Sequence, residues 1–196
     1  DSDAAGSQAI KIIMNSFYGV LGTPGCRFFD PKLASSITMR GHEILQRTRD
    51  LIEDQGYSVI YGDTDSVFVL LDQVEGEVKT AGSRLSDYLN DWWASELKNR
   101  YGIPSYLEVE FETHFEKFFI PTIRGSERGS KKRYAGMVRD SDEDSQLVFK
   151  GLESVRSDWS PLAREFQIEL YRRVFADEPH LTYIRETAER LLEGEL

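Results

Sequence analysis

The chain of 196 residues holds one cysteine, Cys26, and three scattered histidines, His42, His114 and His180. One thiol excludes an internal disulfide and fits a reducing compartment. One cysteine and three dispersed histidines do not make a zinc site. No apolar run approaches the length of a membrane span, and no signal peptide is read at the start. The opening Asp1 to Ser7 has the look of a clipped or engineered end. There is no internal repeat and no low-complexity segment. Net positive charge is also lacking: the balance is −10, which at first sight argues against a nucleic-acid binder. The distribution matters more than the sum. Between Arg124 and Arg139, six basic residues (Arg124, Arg128, Lys131, Lys132, Arg133, Arg139) stand against one acidic residue, Glu127, a local +5. Such a patch on an acidic protein can still meet a phosphate backbone. The acidic loop Asp140 to Asp144 carries part of the opposite charge.

What is present is 40% hydrophobic residues, enough for a core at this length, in one domain or one and a half. Gln8 to Tyr18 has helical spacing, with Ile10, Ile13, Met14 and Phe17 expected as its buried stripe. Lys11, Asn15 and Tyr18 share another face. Ser36 to Gln55 reads as a second helix, with Ile37, Ile44, Thr48, Leu51 and Ile52 inward and Gly56 beyond its end. Val78 to Arg100 reads as a third, with Leu85, Leu89, Trp92, Trp93 and Leu97 as its stripe. Tyr106 to Glu112 alternates, so a strand is expected there, Leu107, Val109 and Phe111 on one face and Glu108, Glu110 and Glu112 on the other. Further strands are expected at Phe115 to Ile120, Arg133 to Val138 and Leu147 to Lys150. Ser160-Pro161 caps a helix to about Ala176, and another runs from Pro179 onward. The fold class is α+β, an antiparallel sheet with packed helices and a helical C-terminal tail.

The chemistry gathers at Tyr61-Gly62-Asp63-Thr64-Asp65-Ser66. Tyr57 to Tyr61 and Val67 to Leu71 are β-branched and aromatic, so they read as two strands about a tight turn. Asp63 and Asp65 are either a polar hairpin tip or cation ligands. Close carboxylates repel unless a proton or cation lies between them, and hard oxygen ligands suit Mg²⁺. The glutamate row is either an exposed strand face or a further source of carboxylate. Lys131, Lys132 and Arg133 are either a solvated loop or a strand contact.

Lys11-Ile-Ile-Met-Asn15-Ser-Phe-Tyr18-Gly19, Tyr61-Gly-Asp63-Thr-Asp65-Ser66, Lys131-Lys132-Arg133-Tyr134 and Lys150-Gly151-Leu-Glu-Ser-Val-Arg156, in that order, resemble four segments of the family B DNA polymerases. The first is similar to motif B, the second to motif C, the third to the primer-duplex contact and the fourth to the lead into the thumb. The resemblance implies residues 1–22 as the end of the fingers, 23–150 as palm and 151–196 as the start of the thumb. It implies nucleotidyl transfer from a deoxynucleoside triphosphate to a primer 3′-hydroxyl on a DNA template, with two Mg²⁺. Asp65 would be the bridging ligand, Asp63 would support or join it, and Glu112 is the best match for an extra carboxylate. Lys11, Asn15 and Tyr18 would face the nucleotide. Lys131, Lys132, Arg133, Tyr134, Lys150, Gly151 and Arg156 would contact DNA. A bacterial, nucleoid-associated cytoplasmic setting follows, with no membrane partner, and a sliding clamp as a partner through regions outside these residues.

Two departures stand out. A second arginine often follows the one matched by Arg156, and here the position is Ser157. The aspartate of motif A has no counterpart, since Asp30-Pro-Lys-Leu-Ala-Ser35 does not match, and that motif is expected upstream. These residues alone are therefore expected to be inactive or nearly so. The alternatives are a non-catalytic DNA-binding remnant and a two-metal phosphodiesterase.

Overall fold

The computed structural model describes residues 4–71, 77–122, 125, 129–130, 132–139 and 145–196. In chain order the elements are α1 (Ala4–Gly22), α2 (Pro31–Asp54), β1 (Ser58–Asp63), β2 (Ser66–Leu70), α3 (Val78–Tyr101), β3 (Lys117–Phe119), β4 (Tyr134–Arg139), β5 (Ser145–Lys150), a 3₁₀ turn (Glu153–Val155), α4 (Pro161–Phe175) and α5 (His180–Leu192). β1 and β2 form an antiparallel hairpin, and β3-β4-β5 form a separate antiparallel sheet. The architecture is α+β. The chain divides into two units, Asp1–Glu75 with Asp87–Leu107, and Gly76–Ser86 with Glu108–Leu196.

In the first unit, α2 begins at Pro31 because Asp30 caps it. The Asp30 carboxylate accepts from the backbone N–H of Lys32 at 2.9 Å and of Leu33 at 3.3 Å, and proline at the first helical position needs no donor. Sequence periodicity places that start five residues later, at the first recurring apolar position, because the cap is not part of the stripe. Leu51 and Ile52 of α2 are buried, as are Leu89 and Trp93 of α3. Trp93 Nε1 donates to Thr48 Oγ1 at 3.1 Å, so the buried hydroxyl and indole satisfy each other. Arg47 lies over the Trp92 ring at 4.9 Å.

The expected stripe of α1 is not buried. Ile10, Ile13, Met14 and Phe17 are between 60 and 67% exposed, and Ile37 of α2 is 46% exposed. Helical spacing identifies which residues share a face, but a face is buried only where another element covers it. α1 packs along α2, and none of the described residues covers that stripe.

In the second unit, Ala135, Leu152 and Phe175 form the buried centre, with Met137, Leu147, Phe149 and Tyr171 packed on it. α4 is capped by Ser160, whose Oγ accepts from Ala163 N at 3.2 Å. It stops where Asp177 takes a left-handed φ of 56°. Lys117 of β3 donates to the Phe175 carbonyl and pairs with Asp177 at 2.8 Å, a cation placed at a helix C-terminus. The segment expected as a strand at Tyr106 to Glu112 lies in no ladder among the described residues. Its alternation survives, with Leu107, Val109 and Phe111 half-buried and the three glutamates exposed. Phe111 is seated against Gly82 of α3, where a Cβ would lie 2.3 Å from its ring. Side-chain alternation reports the two faces of an extended segment and not whether a neighbour pairs its backbone.

Candidate active site

Asp63 closes β1 opposite Ser66, leaving Thr64 and Asp65 as a two-residue turn. Asp65 N–H donates to the Asp63 carbonyl. Thr64 has a φ of 48°, a left-handed conformation that is an outlier for a β-branched residue. Its hydroxyl donates to Asp63 Oδ1 at 3.1 Å, and the Ser66 hydroxyl donates to Asp65 Oδ1 at 3.4 Å. Among the described residues neither carboxylate pairs with a lysine or arginine. Asp63 is half-buried and Asp65 exposed.

The hairpin beneath the tip is braced from two directions. Tyr61 and Phe68 pack with ring centroids 5.3 Å apart. A register shift between Val59 and Tyr61 adds one residue to β1, the kind of bulge that re-aims a strand end. α2 contacts both strands, and a Cβ on Gly62 would lie 3.8 Å from a Leu45 methyl. α2 also carries α1, where the Tyr18 hydroxyl and Thr38 Oγ1 lie 2.6 Å apart. Lys11, Asn15 and Tyr18 are all exposed on α1. One helix thus supports both the aspartate turn and the lysine-asparagine-tyrosine face.

The second unit brings together basic segments that are far apart in sequence. Tyr134 pairs with Lys150 across β4 and β5. Lys132 adopts a φ of 62°, and its carbonyl would lie 2.1 Å from any Cβ on Gly151, itself at φ 61°. Only glycine fits there. Tyr134 packs between Phe118 at 5.1 Å and Phe115 at 6.0 Å, and Phe115 occupies the space a Cβ on Gly136 would need. Arg133 bonds Glu153. Arg156 pairs with Asp158 through Nε at 2.9 Å and Nη2 at 2.6 Å, and that bond and charge raise the arginine pKa and lower the aspartate's. Lys150 and Lys132 are exposed. Lys131, Arg124, Glu127 and Arg128 lie outside the described residues, as does the loop Asp140 to Asp144. Glu112 is exposed and belongs to the second unit.

Glu153 lies within the fourth motif without a role assigned to it, and Gln167 lies outside every motif. Burial pushes the Glu153 carboxyl up, but the Gln167 hydrogen bond, a backbone bond and the Arg133 guanidinium outweigh it and hold the group below the ordinary glutamate range. The only sequence signal was a glutamate two residues after the conformationally special Gly151.

Two hard carboxylates with no counter-cation among the described residues fit a divalent ion as donors, since Mg²⁺ takes one or two carboxylates plus phosphates. Among the described residues no group of three or more acidic, histidine or cysteine side chains gathers into a complete metal site. No helix among them is long and apolar enough to cross a membrane.

An aspartate-tipped hairpin, a helix bearing a lysine-asparagine-tyrosine face and a β-sheet presenting a basic run define a class. The chain belongs to DNA polymerase family B, whose family model matches residues 5–194. It is 58% identical over 192 residues to DNA polymerase II of Escherichia coli (strain K12), an alignment covering 97% of this chain and 24% of that protein. It is 31% identical over 194 residues to the DNA polymerase of Thermococcus gorgonarius, covering 96% and 22%. It is 29% identical over 191 residues to the DNA polymerase alpha catalytic subunit of Mus musculus, covering 95% and 12%. The chain therefore spans a quarter or less of the length of these relatives.

Proposed function

We propose that this chain is the palm core of a DNA-templated DNA polymerase, with the end of the fingers at 1–22, palm at 23–150 and the start of the thumb at 151–196. The reaction is nucleotidyl transfer from a deoxynucleoside triphosphate to a primer 3′-hydroxyl. The observation that carries this reading is the Asp63-Thr64-Asp65 turn, where two carboxylates share one tight hairpin tip that no lysine or arginine among the described residues pairs with.

Asp63 and Asp65 are the residues that would hold Mg²⁺, and Glu112 the one that would assist. Two such ions, when bound, neutralise phosphate charge and support in-line displacement. Thr64 and Ser66 orient the carboxylates by hydrogen bonds. Lys11 binds the triphosphate as a point charge, Asn15 lies beside it, and Tyr18, its hydroxyl held by Thr38, lies against the nascent base pair. The run Lys131-Lys132-Arg133-Tyr134, with Lys150, Gly151 and Arg156, follows the primer-template backbone, so contact tolerates sequence and weakens with salt. A bacterial cytoplasmic setting at the nucleoid, and a sliding clamp engaged through other regions of the parent, complete the reading.

The test is primer extension by the full-length protein with template, four deoxynucleoside triphosphates and Mg²⁺. Asp65→Asn is expected to lower the rate by at least about 10²-fold, the scale on which loss of one transition-state charge stabiliser acts, while duplex binding persists. Equal extension by both proteins makes the hairpin structural. Cleavage of DNA without triphosphate would replace the polymerase reading by a phosphodiesterase, and duplex binding without extension by either protein would leave a DNA-binding remnant. Residues 1–196 alone are expected not to extend a primer.

A further inference from the structure

Arg133 stands inside the basic run, yet its guanidinium is turned onto protein. Nη2 donates to Glu153 Oε1. The other Glu153 oxygen accepts from Gln167 Nε2 at 2.8 Å, and Gln167 Oε1 accepts from Ser154 N–H at 2.6 Å. A continuous polar chain thus leads from the strand that follows the basic run, through the 3₁₀ turn, to the middle of α4. The Glu153 side chain is 20% exposed and that of Arg133 41%, so the pair is partly withdrawn from water, where loss of one partner is felt more than at the surface. Arg133 Nε is buried without a partner among the described residues, and Nη2 is anchored on Glu153. Lys132 is fixed from behind by the close approach of its carbonyl to Gly151. Leu152, between Gly151 and Glu153, is fully buried in the core that α4 covers through Tyr171 and Phe175.

A guanidinium whose charge is met by a carboxylate releases few counterions from DNA. Its place in the polar chain suits a different task from the direct backbone contact proposed for its neighbours in the run. We propose that Arg133 is a positioning residue, clamped by Glu153 and Gln167, that locks the basic run to α4 so that Lys132 and the β4 start meet the DNA backbone as one rigid piece. This rests on the polymerase reading for the identity of the bound duplex.

The two roles for Arg133 differ in sign. If Arg133 touched phosphate directly, Glu153→Ala in the full-length protein would free a cation, tighten primer-template binding and steepen its salt dependence. The clamp requires the opposite. Glu153→Ala, like Arg133→Ala, weakens binding about tenfold, the scale of coupling between contacting residues, and flattens the dependence of log K on log salt. The double variant is no weaker than either single one. Gln167→Met keeps both charges and weakens binding in the same direction, and it carries the test should Glu153→Ala fail to fold. Tighter binding by Glu153→Ala, additive losses in the double variant, or a lower melting temperature with the salt slope unchanged would overturn the clamp. Asp65→Asn is assayed alongside. Should it extend primers like the wild type, the catalytic reading fails while the binding series still decides the clamp.

Discussion

Thr64 is the residue at which backbone and chemistry meet. A left-handed β-branched residue costs about 1–3 kcal/mol, and glycine in its place would give back about 0.5–1 kcal/mol of that in chain entropy. Thr64→Gly is therefore expected to stabilise the protein by about 1 kcal/mol in denaturant unfolding, while primer extension falls because Asp63 loses the hydroxyl bonded to it. Glu153 is the second residue with a definite expectation. Its folded pKa is lowered, so the stability it contributes is complete above the unfolded glutamate value, about 4.3, and is lost as pH falls through the lower folded value. Unfolding free energy measured across that acidic window should fall more for the wild type than for Glu153→Gln.

At the scale of elements, Gly82 in α3 is a helix-interior glycine, and alanine there would improve helix propensity by about 1 kcal/mol. The Phe111 ring occupies that space, and overpacking costs about 1–3 kcal/mol. Gly82→Ala is expected to destabilise by about 1–2 kcal/mol in thermal or chemical unfolding, and a stabilised variant would show that Phe111 can move away. Elements of this kind were unevenly legible in the sequence. The hairpin, the α3 stripe with Leu89 and Trp93, and the Ser160-Pro161 helix start were readable because each has a local cause. The exposure of Ile10 and Phe17 and the absence of a ladder at Tyr106 to Glu112 among the described residues were not, because both depend on which neighbours are present. The site divided the same way. Asp63, Asp65 and the basic run stand out as residue types at a spacing. The left-handed Thr64 and the Arg133–Glu153–Gln167 chain exist only once the backbone has folded.

For the whole molecule, each of the two units has buried side chains of its own, Leu51, Ile52, Leu89 and Trp93 in one and Ala135, Leu152 and Phe175 in the other. The residues proposed for the polymerase site are distributed over both units, Asp63, Asp65, Lys11, Asn15 and Tyr18 in the first and Lys132, Arg133, Tyr134, Lys150 and Arg156 in the second. The apolar face of α1 is open among the described residues, and contiguous apolar surface of that kind is normally covered by a partner element. The uncompensated pair at the hairpin tip has a thermodynamic consequence. A cation that binds the two carboxylates in the folded state and not in the unfolded chain shifts the folding equilibrium by mass action. The melting temperature of the protein should therefore rise with added Mg²⁺. Asp65→Asn should melt higher than the wild type in chelator and show little further rise with the ion, so that heat stability alone would read the occupancy of the turn.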